Sequence, residues 1–339
     1  MPRDNGKTNE QCIPRVSRVT KGPGERDMDQ EQSQSTLTDS LEQAEGLILQ
    51  EQDDAARELL ARLAEDAEEY VDRNCAATES DQWFSFPTIF DRLCYRRVER
   101  DPRTLHDVGE PLDRLYADLA LACVRTGDYN AGVEALKQAV RWNPMNCGYR
   151  LDLADLYRTN GDMQEYLALT YSCFERASEA RHLARAFLNS AGYFEAQGKP
   201  RTAAAALRAA RRLEVEDSAL KAALDQAAGT ERDPDGVTDK ETADLLAEEG
   251  LPDGANAEVA ICLLMCAQDA AVAGDRNVAT NLTLRARDLV GESAAMTLLQ
   301  LIRDTDAEMA REAAAGDAND AGDENDPQAN GGAGDAQAN

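Results

Sequence analysis

Between positions 112 and 146 the apolar residues recur with the period of an α-helix. Leu112, Leu115, Tyr116, Leu119, Ala120, Cys123 and Val124 fall on one stripe, with polar residues between them. Pro111 suits the first helical turn, and Gly127 follows the last periodic residue, where a left-handed conformation ends a helix cheaply. A second stripe runs through Val133, Leu136 and Val140, flanked by the small residues Gly132, Ala135 and Ala139, and Pro144 closes it. The pattern predicts two antiparallel helices joined by a tight turn. Gly132 and Ala139 would let them approach closely.

Similar patterning starts earlier. Ser40 can cap a helix carrying Leu41, Ala44, Leu47 and Ile48; after a polar break at 51–54, Ala56, Leu59, Leu60, Leu63, Ala67, Tyr70 and Val71 form a second stripe. These predict a degenerate first hairpin. Residues 74–82 read as a polar connector. Trp83, Phe84 and Phe86 then cluster before Pro87, and Ile89, Phe90, Leu93, Cys94 and Val98 continue at helical spacing. The aromatic cluster reads as a core patch sealing the array, with a partner-binding plug as the other reading. Arg96, Arg97, Arg100 and Arg103, interleaved with Glu99 and Asp101, read as a solvated face.

Internal periodicity organises the remainder. Gly127-Asp128-Tyr129 is matched 34 residues later by Gly161-Asp162-Met163, with Tyr149, Leu153, Leu156 and Tyr157 before the turn and Leu167, Tyr171 and Phe174 after it. A third copy centres on Gly198, with Phe187, Ala191 and Phe194 before it and Ala203, Leu207 and Ala210 after it. A fainter fourth uses Gly274-Asp275. Residues 216–255 hold a worn repeat or an insertion; Thr238 and Glu241 are spaced as a capping box, with Leu245 and Leu246 buried and Gly250-Leu251-Pro252 as a stop.

These features resemble the tetratricopeptide repeat. In the 112–146 copy Ala120, Gly127, Tyr129, Ala139 and Pro144 match its pattern, while Gly132 replaces an alanine and Leu136 an aromatic. Ala154, Tyr157 and Gly161 match in the second copy. There Tyr166 stands where a small residue belongs and no proline closes the unit, so its second helix is expected to be displaced. Ala191, Phe194, Gly198, Ala203 and Ala210 match in the third. The resemblance implies an all-α fold, an α-solenoid of stacked antiparallel helix pairs. One hairpin cannot bury its own apolar face, so the copies must stack into a superhelix with a groove.

The expected organisation is a disordered extension at 1–39, a degenerate hairpin and aromatic-rich helix at 40–110, core repeats at 111–215, the 216–255 segment, a repeat with a capping helix from Ser293 to Arg311 within 256–311, and a disordered acidic tail at 312–339. The 339 residues carry a formal charge of −28, which argues against general affinity for nucleic acid or an anionic membrane. No apolar run is long enough to span a bilayer, and the eight scattered cysteines fit reduced thiols in a cytoplasmic protein.

Catalytic signals are absent from the sequence. His106 and His182 stand in no triad arrangement, no phosphate or dinucleotide loop appears, and Cys262 and Cys266 read as a packed core pair with no further metal ligands nearby. No cofactor or metal is expected. The resemblance places first helices on the inner surface, which makes Arg125, Asp155, Arg158, Arg185 and Glu195 the candidate partner-binding residues; a merely solvated face explains them equally well. Some members of that family grip a C-terminal carboxylate with Lys and Asn side chains, but Ala117 and Leu121 stand at those places.

Two functional classes follow. The favoured one is a scaffold or adaptor binding an unidentified protein or peptide segment. The alternative is a helical-repeat RNA binder using the Arg-rich 176–212 surface. A subsidiary expectation is that an acidic segment, 231–255 or the tail, folds over those basic helices and competes with a partner.

Overall fold

The computed structural model describes residues 27–320 and shows an all-α superhelix of stacked pairs. The first pair is α1 (Asp27–Leu49) with α2 (Asp53–Asn74). Then come α4 (Leu112–Arg125) with α5 (Tyr129–Trp142), α6 (Cys147–Thr159) with α7 (Met163–Arg176), and α8 (Ala180–Ala196) with α9 (Pro200–Arg211). α10 (Ser218–Ala227) and α11 (Asp239–Glu248) each pack on α9. The last pair, α12 (Ala257–Ala273) with α13 (Arg276–Val290), is covered by α14 (Glu292–Asp320).

The corners between paired helices share one geometry. Gly127 has φ of 82°; its N–H donates to Val124 O (3.0 Å), and Asp128 N–H donates to Cys123 O (2.8 Å). This pair of bonds satisfies carbonyls that the helix end would leave open. Gly161, Gly198 and Gly274 adopt the same left-handed conformation. The first pair turns the same way through Glu51, φ 58°, with Gln52 N–H donating to Leu47 O (2.9 Å). Glu51 lacks the glycine signal, so the sequence offers only a polar break there. At three of these corners an aspartate follows the glycine and caps the second helix: Asp128, Asp162 and Asp275 accept from the N–H groups of Ala131, Glu165 and Val278.

Three details of the helices and their connections go beyond the sequence pattern. α1 begins at Asp27, ahead of Ser40. The stretch between them has no Gly or Pro, its acidic residues suit a helix N-terminus, and the packed turns at Leu41 and Ala44 propagate it backward. α14 passes Arg311 and reaches Asp320, because Ala and Glu in 307–315 are strong helix formers. The disorder expected for 1–26 and 321–339 lies outside the described residues.

The third detail is a small sheet. β1 (Asp81–Phe84) pairs in parallel with β2 (Thr104–Asp107), flanking α3 (Ile89–Glu99), which Thr88 caps. Strands of four residues carry too little alternation to read from the sequence. Phe84 and Phe90 are buried with Leu105, Met145, Cys147 and Phe174, so the aromatic cluster seals the core. Arg97 and Arg103 are not a solvated face. Arg97 reaches Glu258 of α12 (3.2 Å), and Arg103 forks onto Asp101 (2.6 Å) and reaches Gln82. Through α3, which lies between the first and second pairs in the sequence, the chain touches α12 of its last helix pair.

The apolar stripes supply the cores. Ala120, Val133, Ala135, Leu136, Leu153 and Leu156 join the second pair to the third. Gly132 sits against Ala120 and Val124, where a Cβ would come within 3.0 Å of Val124 Cγ2. Tyr166 is buried, and its hydroxyl donates to Asn189 O (3.4 Å), so the space expected for a small residue holds a polar-tipped ring.

Candidate functional site

The candidate face is built by α6 and α8, first helices of successive pairs that lie side by side. Asn146 caps α6 by accepting from Gly148 N–H (2.9 Å) and fixes where its first turn begins. Asp152 and Asp155, three residues apart, then project from the same side of α6. Gly148 lets α8 come close, since a Cβ there would stand 3.3 Å from His182 Nε2.

Arg185 of α8 bridges the two carboxylates. Its Nη1 donates to Asp152 Oδ1 (2.8 Å) and its Nη2 to Asp155 Oδ2 (2.6 Å). Arg158 stands 3.2 Å from Asp155 Oδ1, and its guanidinium lies over the Tyr166 ring, 5.7 Å from the centroid. Burial lifts the Tyr166 hydroxyl to about 12, so the ring stays neutral. Burial is also the largest influence on His182 and lowers its pKa, which keeps the imidazole uncharged beside Arg185 at neutral pH.

Exposure separates the roles. The Arg185 side chain is 33% exposed, while those of Asp152 and Arg158 are 55% and 57% exposed. Arg185 is therefore the internal tie, and one carboxylate and one guanidinium remain open to an incoming group. Such a face can pair with both signs of charge on a partner. It offers no nucleophile beside a base.

The other two expected groove residues are used within the chain. Arg125 donates to Ile48 O (3.0 Å) and Asp53 Oδ1 (3.3 Å), bracing α4 against the first corner. Glu195 accepts from Arg232 (2.6 Å) in the loop after α10. Asp155, Arg158 and Arg185 are brought together. Asp152 and Tyr166 belong to the same cluster, and their signal was the three-residue spacing on α6 and the departure from a small residue on α7.

The Arg-rich surface meets its own acidic segment. Arg201 pairs with Glu241 (3.0 Å), Arg208 with Asp239 (2.9 Å), Arg211 with Asp235 (2.7 Å), and Arg212 donates to Asp253 O (2.6 Å). Segment 231–255 thus folds over α9, as its charge suggested. Val237 and Leu246 of this segment are buried, so apolar contacts anchor it as well. Farther along, a cleft of about 650 Å³ opens between α7 and residues 250–256, lined by Tyr171, Ser172, Arg176, Leu251, Pro252 and Asn256. Among the described residues no cluster of His, Cys, Asp or Glu could hold a metal ion, and Cys262 and Cys266 are buried thiols. No helix among them is long and apolar enough to cross a membrane.

No family model matches the chain, and no curated protein matches it. A solved structure described as "Functional Characterization of Pseudomonas Aeruginosa pilF" is similar to it at 16% identity, with 82% of this chain and 99% of that chain covered and a TM-score of 0.38.

Proposed function

We propose that this protein is an interaction scaffold of tetratricopeptide-repeat type that holds a peptide or protein segment against the inner face of its stacked helix pairs. The observation that supports it is the α6–α8 cluster, where Arg185 ties two aspartates together and leaves Asp152 and Arg158 open to solvent. A partner segment carrying one basic and one acidic side chain exchanges solvent for these two groups without breaking the Arg185 tie. The rigid helices hold the pair in place before binding, which lowers the ordering cost.

The RNA-binding alternative has less support, because the arginines of α9 are neutralised by the chain's own carboxylates. The test is selection of binders from a displayed random-peptide library on the full chain, followed by titration of a selected peptide. Arg158→Glu and Asp152→Lys, both at exposed positions, should each weaken it by about tenfold. A failure to select any peptide, or selected peptides indifferent to both changes, would overturn the proposal.

A further inference from the structure

We propose that Cys94 and Cys262 form a reversible disulfide that latches α3 onto α12 and so locks the contact between α3 and the last helix pair. The two cysteines are far apart in the sequence but are brought together by one helix–helix contact. The register of that contact is fixed on both sides of Cys94. One turn onward, Arg97 pairs with Glu258 (3.2 Å) and contacts Met265 Sδ (3.0 Å). One turn back, Phe90 lies beneath the guanidinium of Arg285 on α13, 5.0 Å from its centroid. Cys262 lies on the α12 face that carries Glu258 and Met265, the face that Arg97 meets, and Cys94 precedes Arg97 by one turn on α3. Both are free thiols, fully buried in one apolar cluster. Cys266 lies one turn along α12 at the rim of the same contact, 8% exposed.

The place matters because α3 is an 11-residue helix inserted between the first and second pairs. It packs against α12 of the last pair. A short helix held by a few side chains opens locally at lower cost than the stacked pairs around it. That opening admits an oxidant to thiols which are otherwise inert through burial.

The oxidant is a small-molecule disulfide of the glutathione class. One protein thiolate attacks it, forms a mixed disulfide and expels one small thiolate. The second protein thiolate then attacks the protein sulfur of the mixed disulfide, forming the Cys94–Cys262 bond and expelling the other small thiolate. Two protein thiols are oxidised, one small disulfide is reduced, and the two thiol protons pass to the two released thiolates. Excess small thiol runs the same steps backward and frees α3.

The full-length chain is incubated across a series of oxidised-to-reduced glutathione ratios, then mapped by mass spectrometry of non-reduced peptides and by amide hydrogen exchange. The expected result is a Cys94–Cys262 cross-link that dithiothreitol reverses. Amide exchange in Ile89–Glu99 slows by about tenfold when it forms. The link survives Cys266→Ala and is lost in Cys94→Ala and Cys262→Ala, with circular dichroism confirming that each variant is folded. If the alanine variants unfold, the wild-type peptide map and exchange decide alone. Prior oxidation of the Cys147–Cys173 pair within the α6–α7 hairpin, a link formed only in urea, or a link that leaves α3 exchange unchanged would overturn the latch.

Discussion

Arg57 of α2 donates to Asp128 at 2.5 Å, and Asp128 is the residue whose other oxygen caps α5. One carboxylate thereby starts the second helix of one pair and ties that pair to the previous one. The α5 backbone N–H of Ala131 is the main influence holding Asp128 below the usual carboxylate range, with the Arg57 bond adding to it. Because its folded pKa is depressed, the stabilisation is present at neutral pH and is lost as pH falls through the depressed value. Asp128→Ala should lower Tm by about 2–4 °C at pH 7 and by less at pH 3. Equal losses at both pH values would count against the carboxylate as the source.

The corners make a paired prediction. Gly127 has open space around its Cβ position, so Gly127→Ala should cost only the left-handed backbone strain, about 1 kcal/mol. Glu51 already bears that strain at φ 58°, and Glu51→Gly should raise stability by a few tenths of a kcal/mol to about 1 kcal/mol. Urea denaturation midpoints moving in the same direction for both would refute the shared geometry.

Asp118 on α4 carries a different pH signature. Burial first, and then Glu45 of α1, raise its pKa to about 7. For an acid raised in the folded state, ionisation above that pH opposes folding. The opposition fades as pH falls from about 8 toward 5, and it is gone below the unfolded value of about 3.9. Asp118→Asn should flatten the rise in Tm between pH 8 and pH 5 that the parent shows. A parent and variant with parallel profiles would remove Asp118 from the account.

Close approach of paired helices is tested by size. Ala139 is fully buried in the same apolar cluster as Leu115, Tyr116 and Trp142, so Ala139→Leu should overpack it by about 1–3 kcal/mol. Gly132→Ala gains helix propensity but presses Val124 Cγ2 at 3.0 Å, and the two effects should nearly cancel. Chemical denaturation of both variants measures the contrast; an unchanged midpoint for Ala139→Leu would mean the pair is loosely packed.

How segment 231–255 is held can be settled by comparing a greasy contact with an ionic one. Leu246 is fully buried, and Leu246→Ala should cost about 2–5 kcal/mol. Arg208→Gln removes the ion pair with a largely exposed Asp239 and should change the denaturation midpoint little, even at low salt. A larger loss from Arg208→Gln would make charge the anchor.

The sequence alone determined the helix pairs and their stacking, because both follow from short-range physics. A 3.6-residue apolar period, a left-handed glycine and a capping aspartate act within one hairpin, and Gly127, Gly161, Gly198 and Gly274 declare each corner. Glu51 escaped because a residue other than glycine holds the left-handed conformation there, and its type does not advertise it. Partner choice among polar side chains was decided only in three dimensions. Arg125 and Arg158 look alike on their helices, yet one is consumed by Ile48 O and Asp53 and the other stays open. Buried Asp113, held by Asn143 (3.2 Å) and Ser85 (3.3 Å), likewise carries no sequence signal. The meeting of α3 with α12 belongs to the same class. Contacts between segments so distant along the chain depend on the accumulated rotation of every pair between them, and no local pattern encodes that sum.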